Sequence, residues 1–110
     1  MITTSNERDI QIYVATTPVD MRKSFDGLVE IVRSFLGHDP LSGSMFVFRN
    51  RSGHMLKILW WDRDGLAIFY KRLEKGTFRF PYSGEKSLVI DRDQLLRLLG
   101  GFEIVRTRAA

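Results

Sequence analysis

The chain has 110 residues, 17 Lys and Arg against 13 Asp and Glu, a formal net charge of +4 and no cysteine. A chain of this size buries a core without staples, and the missing cysteines exclude a disulfide framework and a thiolate zinc site. No apolar run approaches the roughly 18 residues of a membrane span, and the polar start MITTSNERDI has no apolar signal segment, so the reading is one cytoplasmic domain over 1–110, loose at 1–8, with no membrane partner.

Ile10, Ile12 and Val14 alternate as a half-buried strand. Thr17-Pro18-Val19-Asp20 then reads as a helix start: Thr17 caps, Pro18 suits the first helical position, and Asp20 completes a capping-box pattern. Met21, Phe25, Leu28, Val29, Val32, Phe35 and Leu36 recur at three- and four-residue steps and predict one long helix, ended by Gly37. After the loop Asp39–Gly43, Met45–Asn50 and Met55–Trp61 read as strands joined by Arg51-Ser52-Gly53-His54. Asp62–Gly65 turns into a strand over Leu66–Leu73, and Glu74-Lys75-Gly76 turns again into Thr77–Phe80, closed by Pro81.

Ser87–Ile90 is one more short strand. Asp91 caps a helix with Gln94 as its box partner, Leu95, Leu96, Leu98 and Leu99 form its apolar side, and Gly100-Gly101 ends it. Phe102, Ile104 and Val105 read as a final strand or a docked tail. The pattern predicts an α+β fold: an antiparallel meander sheet of about four to five strands packed against one long N-terminal helix, with a short C-terminal helix.

The basic excess lies in the meander. Residues 45–81 carry Arg49, Arg51, Lys57, Arg63, Lys71, Arg72, Lys75 and Arg79 against Asp62, Asp64 and Glu74, while the rest of the chain is close to neutral. Splitting each strand by parity gives two sets. Phe46, Phe48, Leu56, Ile58, Trp60, Leu66, Ile68, Tyr70, Phe78 and Phe80 form an apolar set expected to pack on the long helix. The other set interleaves Arg49, Lys57, Lys71 and Arg79 with Trp61 and Phe69. Cations and stacking rings together suit single-stranded nucleic acid, with Trp61 and Phe69 as stacking candidates and the eight cations as phosphate contacts. The bland alternative puts both aromatics under the C-terminal helix, with the cations snorkelling at its rim.

Enzyme signatures are missing. His38 and His54 lack metal-ligand spacing, and Leu73 stands where a calcium loop opened by Asp62 needs its closing Glu. No phosphate-binding glycine loop or nucleophile elbow occurs. The expectation is a non-enzyme without a cofactor.

Several segments carry a resemblance. They are Thr17 through Leu28 (TPVDMRKSFDGL), Asp39-Pro40 with Ser42-Gly43, Phe46 through Arg51 (FVFRNR), Leu56 through Asp62 (LKILWWD) and Lys71 through Phe78 (KRLEKGTF). In this combination the chain resembles the TnpB accessory-protein family of insertion sequence 66 elements, the product of the element's second open reading frame. The resemblance implies a helper in transposition, acting beside a separate transposase that carries the catalytic acids. The expected partners are therefore DNA and the transposase of the same element. The rival reading is an interaction adaptor or homo-oligomer module, in which Val47, Leu59, Trp61 and Phe69 contact protein.

Overall fold

The computed structural model describes residues 10–104 and 108–109. Strand β1 (Ile12–Ala15) leads to helix α1 (Phe25–Glu30), which continues directly as a π-helical stretch over Ile31–Leu36. Strands β2 (Met45–Arg49), β3 (Met55–Asp62) and β4 (Gly65–Arg72) follow, then β5 (Ser87–Ile90), helix α2 (Arg92–Leu99) and β6 (Arg108–Ala109). They form one six-stranded sheet in the order β4-β3-β2-β1-β5-β6.

This architecture corrects the expected meander on an N-terminal helix. The sheet is mixed: β1 runs parallel to β2, with α1 and its continuation in the crossover, and antiparallel to β5. A parallel pair needs a long connection, and the segment between Ala15 and Met45 supplies it. Only β2, β3 and β4 follow one another as hairpins. Thr77–Phe80, expected as the next strand, pairs with no strand among the described residues. Phe78 is instead buried, and its N–H donates to the Gly53 carbonyl at 2.8 Å.

The helix is also shorter than its periodicity implies. It begins at Phe25, with Ser24 as a cap that makes no side-chain bond. Asp20 does not cap it. Its carboxylate instead accepts from the Arg22 backbone N–H at 2.9 Å and from the Arg22 guanidinium at 2.7 Å, closing a local turn. Met21 and Lys23 have carbonyls that a helix running from Pro18 would direct to N–H groups one turn on. Lys57 Nζ donates to both, at 2.8 Å each. A charge-assisted bond outcompetes an ordinary helical one, so the chain stays irregular until Ser24. Gly37 ends the π-helical stretch as expected, at φ 74°, where a left-handed residue is needed.

Both faces of the sheet are covered. On one, Leu28, Val32 and Leu36 pack over Ala15, Phe46, Phe48 and Leu59. On the other, Leu95 and Leu98 of α2, with Phe78, cover Val14, Val47, Leu56, Ile58 and Ile90. Each buried large side chain is worth roughly 1.5–3 kcal/mol, so the two cores share the stabilisation. The α2 start matches the sequence: Gln94 N–H donates to Asp91 at 2.8 Å, and the Gln94 side chain accepts from Asp91 N–H at 2.7 Å. Ile104 docks on the α2-side core and Phe102 is exposed. Residues 1–8 and Val105 lie outside the described residues.

Candidate nucleic-acid interface

The register divides the cation–aromatic set. Phe46 pairs with Leu59 and Phe48 with Lys57, and these in turn oppose Ile68 and Tyr70. Paired residues share a face, so Lys57, Leu59 and Trp61 point to the α1 side with Phe46 and Phe48. Leu56, Ile58 and Trp60 point to the α2 side with Arg49, Phe69 and Lys71. Parity within each strand holds, but β3 is one residue out of step with the expected alignment. The loop Asn50–His54 sets this offset. Asn50 Oδ1 accepts from Met55 N–H at 3.0 Å, His54 Nδ1 lies 2.6 Å from the Ser52 hydroxyl, and Gly53 sits at φ 80°. Trp61 and Phe69 therefore lie on opposite faces and cannot form one stacking platform.

Two of the expected phosphate contacts are committed internally. Lys57 is buried, with the two carbonyl bonds above and its ammonium 4.6 Å from the Tyr70 ring centroid. Lys71 Nζ donates to the Leu99 carbonyl at 2.9 Å, a cation placed at the negative end of α2. Arg72 pairs with Glu74 at 3.0 Å on the surface. Arg63 and Lys75 are exposed at the two turns flanking β4, without an ion pair among the described residues. Arg63 adopts φ 59°, in a tight turn where Asp64 N–H donates to the Asp62 carbonyl at 2.6 Å.

Arg49, Arg51 and Arg79 do converge. They line a groove of about 490 Å³ at the β2–β3 turn, together with Phe80, Tyr82 and the Glu103–Ile104 segment. The Arg49 guanidinium lies 5.4 Å from the Phe80 ring centroid and reaches the Thr16 carbonyl at 3.4 Å, while its buried Nε has no partner among the described residues. Arg51 is exposed and has no ion pair or hydrogen-bond partner among the described residues. Arg79 faces Glu103 at 3.6 Å, both largely exposed, a pairing worth little in water. Tyr82 is 101% exposed, an aromatic ring held out beside three cations.

A second groove of about 720 Å³ adjoins this one. It shares Arg51 and Ser52, and its other walls are Pro18–Arg22, Asn50, Met55 and Tyr70. The Asp20 carboxyl in its wall is held down at about 2 by its bonds from Arg22. Arg51 stands on the ridge between the two grooves.

Phe80 and Tyr82 were missed as groove residues because the segment after Gly76 reads as a strand, which would place Phe80 in a sheet core. The available signal is Pro81, which keeps a proline-broken segment off a ladder and leaves its aromatics free to line a groove.

The fold is α/β, with a mixed sheet, helices on both faces and a cation–aromatic groove at one turn. The chain's sequence relationships are specific. The model of the IS66 Orf2-like protein family matches residues 10–109, and the chain belongs to that family. Two relatives come from Sinorhizobium fredii (strain NBRC 101917 / NGR234). The uncharacterized protein y4hO is 38% identical over 96 residues, covering 87% of this chain and 84% of its own length. The uncharacterized protein y4jC is 37% identical over 101 residues, covering 92% and 86%. No solved structure matches.

Proposed function

We propose that this protein is a non-catalytic accessory factor in the transposition of an IS66-type element, and that it holds DNA in the groove lined by Arg49, Arg51 and Arg79. Family membership supports the link to transposition. The convergence of three guanidinium groups with Phe80 and Tyr82 on one groove supports the DNA reading. Guanidinium groups match phosphate oxygens with paired donors, and Tyr82 offers an exposed face to an unpaired base. Lys75 adds charge at the same end of the sheet as the groove, while Arg63 lies at the opposite end, beyond the far ends of β3 and β4. Among the described residues no helix is presented as a base reader, so phosphate contacts dominate and sequence preference is slight.

Mobility-shift titrations of short single-stranded and duplex DNA over a range of salt test the proposal. Retention should weaken by about 0.7–0.9 log units per phosphate contact for each log unit of salt. Tyr82→Ala should weaken single-strand binding by about 1–3 kcal/mol while leaving duplex binding nearly unchanged. Absence of salt-sensitive retention on either DNA would remove DNA binding and favour the adaptor reading.

A further inference from the structure

Strand β4 forms an outer edge of the sheet and, among the described residues, pairs only with β3. It is eight residues long and contains no proline, whereas the strand at the other edge, β6, has two described residues. Proteins usually blunt a long edge with proline, bulges or inward charges, because its unpaired backbone groups recruit another strand. Leu73 N–H donates inward to the His54 carbonyl at 2.8 Å, and Asp62 pairs with Gly65 at the turn. Alternation then aims the amides of Leu66, Ile68, Tyr70 and Arg72 outward. Of these four residues only Arg72 is charged.

We infer that this edge pairs with the β4 edge of a second copy of the chain, antiparallel about a two-fold axis through Ile68. Charge distribution selects the direction. The strand is entered past Asp64 and left through Lys71 and Arg72, with Lys75 just beyond, so an in-register parallel partner sets like charges side by side. The antiparallel arrangement sets Asp64 of each copy opposite Arg72 of the other, and the exposed Arg72–Glu74 pair leaves Arg72 able to turn outward.

Side-chain sizes agree with the same register. Phe69, 41% exposed, falls opposite Ala67 of the second copy, and Tyr70, 51% exposed, opposite Leu66. The pairing closes both long edges at once, as an isologous two-fold contact does. It does not depend on the DNA reading.

Sedimentation velocity across the micromolar range, combined with amide hydrogen exchange on the full chain, tests the inference. The expected result is a dimer in which the Leu66, Ile68, Tyr70 and Arg72 amides gain protection as concentration rises. Asp64→Lys or Arg72→Glu alone should raise the dimer dissociation constant by about tenfold, because each places two like-charge contacts across the axis. The double variant should restore pairing with reversed polarity. Ile68→Pro, which removes an outward N–H and trims a side chain packed on the α1-side core, should give a somewhat less stable but folded monomer by circular dichroism. A chain that stays monomeric at every concentration overturns the inference. So does a dimer that leaves those four amides unprotected, and a double variant no better than the singles overturns the register.

Discussion

Arg51 lies in the β2–β3 turn and Lys57 three residues beyond it, and they look alike as positive charges in the sequence, yet they occupy opposite kinds of environment. Lys57 is buried, with two carbonyls and a tyrosine face around its ammonium; Arg51 is exposed on a ridge between two grooves. The contrast extends to their neighbours, since Lys71 closes the end of α2 while Arg79 lines the Arg51 groove. Positive charge in this molecule therefore does two separate jobs. One set holds loops and helix ends in place, and the other is left facing solvent.

The largest effect should come from the buried member. Lys57→Met removes two charge-assisted bonds and leaves the Met21 and Lys23 carbonyls without their partner, so it should cost about 3 kcal/mol in chemical denaturation. DNA retention measured well below the unfolding midpoint should keep its salt dependence. Unchanged stability with lost DNA retention would invert the comparison.

The exposed members should behave the other way. Arg51→Ala combined with Arg79→Ala should leave stability within about 0.5 kcal/mol. The salt slope of DNA retention should fall by about 1.4–1.8, as expected for two lost phosphate contacts. An unchanged slope would take the groove out of DNA binding.

Lys71→Met sharpens the structural side. It should destabilise by about 1 kcal/mol through the uncapped end of α2, read as a lower thermal midpoint and faster amide exchange in the last helical turn.

The smallest effect concerns His38, whose ring stacks on Tyr13 with centroids 4.1 Å apart. Burial lowers its pKa from the ordinary 6.5. The folded state then binds less proton than the unfolded one, so stability should fall as pH drops below 6.5 and level off below the lowered value. His38→Phe should flatten that part of the pH profile in denaturation experiments.

Much of the local structure was legible. The β2–β3 and β3–β4 turns, the Asp91–Gln94 box and the glycine that ends the first helix all depend on residues close in sequence, so their chemistry can be read there. The missing part was long-range. Nothing near Ile12 says that β1 will lie between β2 and β5, and nothing near Thr17 says that Lys57 will take the carbonyls a longer helix needs. The site was half visible for the same reason. Residue types announced a cation–aromatic surface, but a single-residue offset between β2 and β3 decided which cations met which rings. It buried Lys57, separated Trp61 from Phe69, and left the groove to Arg49, Arg51 and Arg79 with Phe80 and Tyr82 from a segment read as a strand.

The position of β1 has a kinetic consequence. Its two neighbours are β2, which follows the crossover helix, and β5, which comes from near the far end of the chain. During synthesis β1 to β4 are complete while β1 still presents an open flank, and the α2-side core lacks its cover until Leu95 and Leu98 arrive. Closing so distant a pair is slow, because the connecting chain must be ordered first. Refolding should accordingly show late protection of the Leu88 and Ile90 amides in pulse-labelled exchange. A C-terminal truncation before Ser87 should yield an aggregation-prone chain rather than a smaller stable sheet.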